Sequence, residues 1–209
     1  MKRLVFLLAL AGLSIATAAP RIVYTKTFPG SDPAYTKIVI EQDGSATYQE
    51  ADEDAPEKFK LDAAAAEQIF SLAGKLDRFQ RKLESDLKVA KVGEKVYRWE
   101  DGATAAEVRF NYSTDLDAQA LQDWFERIAQ SERVLIDLRR TARFDRLGVH
   151  EVLLRVEALW KQKRLIGPEQ FLSQLDRVSK NEVYMNMARE RATVLAEQFR
   201  GTGTGKAPE

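Results

Sequence analysis

The stretch YTKIVIEQDGSATY, residues 35–48, decides the fold. Two runs rich in β-branched residues stand on either side of Asp43-Gly44. Such a pair predicts a hairpin, because glycine accepts the positive φ that a tight turn requires. The same arrangement returns downstream as Lys95 to Trp99, the turn Asp101-Gly102, and Glu107 to Tyr112. The sequence therefore predicts two tightly turned antiparallel hairpins.

The segments around these hairpins predict one further strand and two helices. Arg21 to Phe28 alternates as a strand, with Ile22, Tyr24 and Lys26 on one face. The acidic residues 50–57, which include Pro56, predict an exposed loop. Apolar residues recur at helical spacing after each hairpin, as Ala65, Ile69, Leu72, Ala73 and Leu76 and then as Leu121, Trp124, Phe125 and Ile128. We predict an α+β fold, in which an antiparallel sheet of two Asp-Gly hairpins plus an N-terminal strand carries helices on one face.

The chain changes character after Tyr112, where neither a β-rich run nor an Asp-Gly turn recurs. Apolar stripes at helical spacing occupy the regions 152–160, 171–178 and 188–199. The sequence predicts an all-α C-terminal extension. The predicted organisation is a signal peptide over 1–19, an α+β domain over 20–132, a helical region over 133–200 packed on it, and a disordered tail over 201–209.

The N-terminus has the three-part pattern of a secretory signal peptide. Lys2 and Arg3 precede residues 4–15, which contain no ionisable group, and Ala16 and Ala18 are the small residues of a cleavage site. The apolar run is shorter than the ~20 residues that span a bilayer. We expect an exported protein, periplasmic or secreted, with no transmembrane segment once the leader is removed. An uncleaved N-terminal anchor is the alternative.

Composition excludes several kinds of chemistry. The chain has no cysteine and one histidine, which excludes disulfides, lipoprotein anchoring, thiol catalysis, zinc thiolate sites and iron–sulfur clusters. His150-Glu151 begins like the zinc-protease motif, but Leu154 stands where its second histidine belongs. With 32 basic and 32 acidic residues, the chain does not resemble a nucleic-acid-binding protein. We predict no cofactor, no metal site and no catalytic residue.

Carboxylates leave one enzymatic alternative open. Glu84 and Asp86, or the run Asp52-Glu53-Asp54, are candidates for a pair that performs general acid–base catalysis. Solvated loop charges are the simpler interpretation of both sets. The corresponding alternative function is a carboxylate-dependent hydrolase that acts on cell-envelope material.

A basic helix face is the one candidate binding site. Arg139, Arg143 and Arg146 recur at i, i+4 and i+7, within a region, Arg133 to Arg200, that has 14 basic and 9 acidic residues. Such a face suits an acidic protein or an anionic envelope component as partner. A solvated flank, partly paired with Asp137 and Asp145, is the alternative. We therefore predict a non-enzymatic binding or interaction module, of open oligomeric state.

Four short motifs suggest a family resemblance. FQRKLES (79–85), FNYS (110–113), FDRLG (144–148) and MARERA (187–192) resemble an uncharacterised family of exported bacterial proteins with no assigned activity. The order of elements from Pro33 onward, strand, Asp-Gly turn, strand and helix, is similar to hairpin–helix modules of the PepSY and β-lactamase-inhibitor-protein kind. Those modules bind or inhibit other proteins, so the resemblance implies protein binding.

Overall fold

A computed structural model describes residues 19–102 and 104–202, so the proposed signal peptide, except for its last residue, and most of the proposed tail lie outside the described residues. The fold class is confirmed: an antiparallel sheet and helices form an α+β protein that ends in helices. The strands are β1 (Arg21–Thr27), β2 (Tyr35–Glu41), β3 (Ser45–Gln49), β4 (Glu57–Lys60), β5 (Glu94–Asp101) and β6 (Thr104–Phe110). The α-helices are α1 (Ala63–Lys75), α2 (Leu116–Phe144), α3 (Val149–Lys161), α4 (Leu172–Lys180) and α5 (Asn186–Thr202).

The six strands form one sheet in the order β4-β3-β2-β1-β5-β6. The N-terminal strand therefore lies between the two hairpins, with Ile22 opposite Ile40 on one side and Trp99 on the other. Gly44 has φ of +85°, as the first Asp-Gly turn requires, and its carbonyl accepts a hydrogen bond from the Leu61 amide at 2.9 Å. Both hairpins predicted from their turn residues are present.

One strand of the sheet was not expected. Glu57–Lys60 pairs with β3 as an edge strand, although the sequence predicted a loop up to Glu57 and assigned nothing to the next residues. Phe59 is its one buried side chain, between two exposed lysines. A four-residue strand with a single apolar residue is too short to give an alternating pattern, so β3 rather than local sequence determines this strand.

Alternation along the strands separates a buried face from a half-exposed one. Ile22, Tyr24, Ile38, Tyr48 and Tyr97 are at most 2% exposed and pack against apolar residues of α1 and α2. The opposite face bears ion pairs such as Arg21–Glu100, at 2.5 Å, and Arg98–Glu107, at 3.6 Å. The helices thus cover one face of the sheet, as the sequence predicted.

Helix α2 belongs to both parts of the protein. Asp115 caps its first turn, with Oδ1 accepting hydrogen bonds from the amides of Asp117 and Ala118 at 2.9 and 3.0 Å. Its residues up to Ile128 pack in the core of the sheet, whereas Val134 and the buried residues after it pack among α3, α4 and α5. The boundary proposed at 132/133 therefore falls within one continuous 29-residue helix, at the transition between two hydrophobic clusters.

Glycines stand at two of the breaks between the helices of the C-terminal half. Gly148 precedes α3, and Gly167-Pro168, with Gly167 at φ of +59°, opens the short 3-10 turn that leads into α4. Among the described residues, no helix has the length and apolarity needed to cross a membrane.

Candidate functional site

The basic face predicted from the sequence is only partly present. Arg139 is occupied by an ion pair with Glu57 of β4, at 2.9 Å. Helix α2 ends at Phe144, so Arg146 lies in the turn that follows and not on the helical face with Arg139 and Arg143. Arg143 stacks over the Phe144 ring at 5.0 Å. Within the described chain, neither Arg143 nor Arg146 forms a salt bridge, which leaves two free guanidinium groups at the end of the helix.

Large apolar side chains are exposed at the same place. Phe144, the last residue of α2, is 75% exposed, and Leu147, in the turn between α2 and α3, is 73% exposed. The turn between α4 and α5 lies beside it, because the Tyr184 hydroxyl donates to the Ala142 carbonyl at 2.8 Å. Val183 and Met185, on either side of Tyr184, are also exposed. We call this region the end surface; it consists of Arg143, Phe144, Arg146, Leu147, Val183 and Met185.

The carboxylates proposed as a catalytic pair are not brought together. Glu84 accepts a hydrogen bond from the Asn111 amide at 2.5 Å, whereas Asp86 pairs with Lys82 at 2.7 Å in an exposed i,i+4 contact. Asp52 accepts from the Tyr35 hydroxyl and from Lys37 at 2.9 and 3.3 Å, and these contacts hold its pKa below the ordinary value. Glu84, Asp86 and Asp52 thus each have a structural partner, and Glu53 and Asp54 are exposed.

A cleft of about 400 Å³ lies between the buried face of the sheet and α2. Tyr24 and Lys26 of β1 form one wall, and Phe125 and Glu126 of α2 form the other. The loop at Asp32 closes one end. Arg133 fixes that loop by donating hydrogen bonds to both the backbone carbonyl and the carboxylate of Asp32.

Tyr24 is the unusual residue of this cleft. It is 2% exposed, and its ring stacks on Phe125 with centroids 4.4 Å apart and planes 7° from parallel. Its hydroxyl oxygen is buried without a hydrogen-bond partner among the described residues. Burial, with a smaller contribution from the charge of Glu126, raises the pKa of Tyr24 well above its ordinary value. The phenol therefore stays protonated and has an unused hydrogen-bond donor.

We expect Tyr24→Phe to leave stability unchanged or to raise it by up to about 1 kcal/mol, since it removes an unpaired buried hydroxyl. Tyr97→Phe is the matched variant, because that hydroxyl donates to the Ala118 carbonyl at 3.3 Å. Its loss is expected to cost about 1 kcal/mol. Urea unfolding of both variants checks the difference. Equal losses in the two variants would mean that the Tyr24 hydroxyl has a partner in solution.

A buried lysine lies near the cleft, next to a second cavity. Lys95 is 1% exposed and donates to the Asn111 carbonyl at 2.6 Å. Burial, assisted by the nearby charge of Lys26, lowers its pKa. The neighbouring cavity, about 580 Å³, is lined by Phe28, Glu84 and Asn111 among others. Because Glu84 and Asn111 bond to each other there, they serve to fix the irregular segment before β5.

Glu132 is a buried acid at the junction of the two halves. It is 3% exposed, and its Oε1 accepts a hydrogen bond from the Gln170 amide at 2.7 Å. Burial raises its pKa to about 7. Next to it, the Ser131 hydroxyl accepts from the Ile166 amide at 2.8 Å. Through these two hydrogen bonds, Ser131 and Glu132 of α2 fix the position of the segment between α3 and α4.

Neither histidine nor carboxylate clusters form a metal site in the described part of the chain. His150 is half-buried in the first turn of α3. The indole of Trp99 is 8% exposed in the core of the sheet. Trp124 and Trp160 are half-buried and pack against the two hydrophobic clusters.

Sequence reasoning overlooked Tyr24, Lys26, Glu126 and Lys95. Their signal was present, because a lysine that alternates in phase with buried residues, as Lys26 does with Ile22, places a charge on the buried face. What sequence could not give is the distance between β1 and α2, since the two elements are about 100 residues apart.

Comparison with protein-family models, with curated proteins and with solved structures finds no match. The two resemblances drawn from motifs and from element order therefore stay predictions.

Proposed function

We propose that this chain is an exported, non-enzymatic interaction protein that docks on an anionic membrane surface of the cell envelope through its end surface. The observation that carries the proposal is that two exposed apolar side chains, Phe144 and Leu147, lie beside Arg143 and Arg146, which form no ion pair within the described residues. The leader pattern of residues 1–19 supports the location.

The apolar side chains favour a bilayer over an acidic protein. Burying a Phe or Leu side chain stabilises by about 1.5–3 kcal/mol, and isolated exposure of one such residue needs no explanation. Here, however, four such side chains are exposed at the end of α2 and in the two adjacent turns: Phe144, Leu147, Val183 and Met185. Charge complementarity with an acidic protein would not require these exposed apolar side chains. The interfacial region of a bilayer, by contrast, accepts apolar side chains that have cationic neighbours.

The charges around the patch match an anionic headgroup layer. Arg143 and Arg146 have no carboxylate within salt-bridge distance in the described chain, and each contributes about 1 kcal/mol near an anionic bilayer. Asp145, between them, directs its carboxylate to the Gly148 amide at 3.1 Å. One further acidic residue, Glu182, is adjacent in sequence to Val183 of the end surface. The whole helical half, Arg133 to Arg200, carries 14 basic and 9 acidic residues.

The alternative, a carboxylate-dependent hydrolase, has less support. It requires two carboxyl groups that face one cleft, with an acid of raised pKa as proton donor. Glu132 has a raised pKa, but Gln170 occupies its carboxyl group. Glu84 and Asp86 are engaged separately. The contacts of these carboxyl groups therefore support the interaction proposal over the hydrolase.

Co-flotation with vesicles tests the proposal. The chain is expected to bind phosphatidylcholine vesicles that contain about 30% phosphatidylglycerol, and to bind pure phosphatidylcholine weakly. Phe144→Ser with Leu147→Ser should weaken binding about tenfold or more, because both apolar anchors are lost. Arg143→Gln with Arg146→Gln should weaken binding to the anionic vesicles and reduce its dependence on salt.

Matched controls separate docking from general stickiness. Leu116 is 80% exposed at the opposite end of α2, so Leu116→Ser removes a comparable apolar side chain elsewhere. Lys58→Gln removes an exposed cation from β4. Both controls should bind as the unaltered chain does. Absence of binding to anionic vesicles, or equal binding by the end-surface variants, would refute the proposal, as would capture of an acidic protein without any vesicle binding.

A further inference from the structure

We infer that the cleft between β1 and α2 binds a small zwitterion, such as a free amino acid or a dipeptide. Lys26 would hold the ligand's carboxylate and Glu126 its ammonium group, over the stacked rings of Tyr24 and Phe125. This site lies in the sheet half of the protein, so it is independent of the proposed docking on a membrane.

The cleft presents opposite charges on its two walls. Lys26 is on β1 and Glu126 is on α2, and both line the same cavity. In the described chain, Lys26 has no acidic partner within salt-bridge distance, and Glu126 accepts a hydrogen bond only from the neutral amide of Gln122, at 2.8 Å. Two half-buried charges of opposite sign that do not pair with each other suit a ligand that carries both complementary charges.

The other charged groups at the cleft already have partners. Asp32 and Arg133 bond to each other, and Glu50 lies 3.8 Å from the Arg133 guanidinium and accepts from the Tyr48 hydroxyl. Lys95, the buried lysine near Lys26, donates to a backbone carbonyl. A ligand that enters the cleft therefore finds Lys26 and Glu126 as its available charges.

The stacked rings of Tyr24 and Phe125, one from each wall of the cleft, add an apolar contact and one polar group. Tyr24 and Phe125 stack with parallel rings, and the Tyr24 hydroxyl is nine-tenths or more buried without a partner in the described chain. A ligand acceptor that reaches this hydroxyl would satisfy a donor that is otherwise left unpaired. The volume of about 400 Å³ lies in the range of small-molecule pockets and is suited to one amino acid or a dipeptide.

Calorimetric titration with L-phenylalanine and two blocked derivatives tests the inference. N-acetyl-L-phenylalanine lacks the ammonium group, and L-phenylalaninamide lacks the carboxylate. We expect L-phenylalanine to bind, and each derivative to bind about tenfold or more weakly, which corresponds to one lost charge contact. This comparison uses the unaltered chain, so it does not depend on the folding of any variant.

Variants then assign each charge to its partner. Lys26→Met should bind L-phenylalanine and L-phenylalaninamide equally weakly, and Glu126→Gln should lose the preference over N-acetyl-L-phenylalanine. Lys58→Met and Glu67→Gln, at exposed positions on β4 and α1, should bind as the unaltered chain does. The inference is overturned if L-phenylalanine shows no heat of binding at about 10 mM, if the blocked derivatives bind equally well, or if folded Lys26 and Glu126 variants bind without change.

Discussion

Glu132→Gln is expected to remove a loss of unfolding free energy of about 3 kcal/mol that the unaltered chain undergoes as the pH rises. Burial raises the pKa of Glu132 from 4.5 to about 7 in the folded protein. Between these two values the folded state retains a proton that the unfolded state has lost, so stability falls as the pH rises through this range. Below pH 4.5 both states are protonated and the group has no effect.

The measurement is the difference in unfolding free energy between Glu132→Gln and the unaltered chain, followed across pH by urea titration. This difference should grow in favour of the variant by about 3 kcal/mol between pH 4.5 and about pH 8. Any constant cost of burying the new amide cancels in the comparison. Glu151→Gln, on α3, is the control and should show no such trend. A difference that does not vary with pH would contradict the buried position of Glu132.

The second large effect is expected from Phe125→Ala, which should lower the free energy of unfolding by about 3–5 kcal/mol. Phe125 is 0% exposed and lies against both Tyr24, at 4.4 Å, and Tyr97, at 5.6 Å between ring centroids. Truncation leaves a cavity that these rings cannot fill without leaving the sheet. Chemical denaturation monitored by circular dichroism provides the value.

Phe144→Ala is the matched control for this variant, since the same side chain on the same helix is 75% exposed there. Its cost should stay within about 0.5 kcal/mol. If the two substitutions cost the same, the stacked arrangement of α2 on β1 would be wrong.

The parts of the fold that sequence predicted are those encoded by neighbouring residues. Asp43-Gly44 and the glycine at 102 specify their turns, and both glycines have a positive φ. The cap of α1 is equally local, since Asp62 accepts a hydrogen bond from the Ala65 amide at 2.7 Å, three residues away. The edge strand β4 escaped prediction because its pairing with β3, rather than its own pattern, makes it a strand. Local chemistry determines hairpins and caps, whereas strands of one apolar residue depend on their neighbours.

The candidate sites divide in the same way. Spacing identified Arg143 and Arg146 as available cations, but it assumed one helix through Arg146, whereas α2 ends at Phe144. The ion pair between Glu57 and Arg139 could not be predicted from the sequence, because it joins residues that are 82 positions apart. The cleft depends on contacts of similar separation, which no local pattern records.

The continuity of α2 has a consequence for how the protein unfolds. One helix, about 43 Å long, supplies apolar residues to both hydrophobic clusters. Unfolding of its centre would therefore remove packing contacts from each cluster. We therefore expect the sheet and the helical half to unfold together on heating, which scanning calorimetry would record as a single peak. A fragment cut after position 132 would end within α2, and the buried carboxyl of Glu132 would be exposed to water.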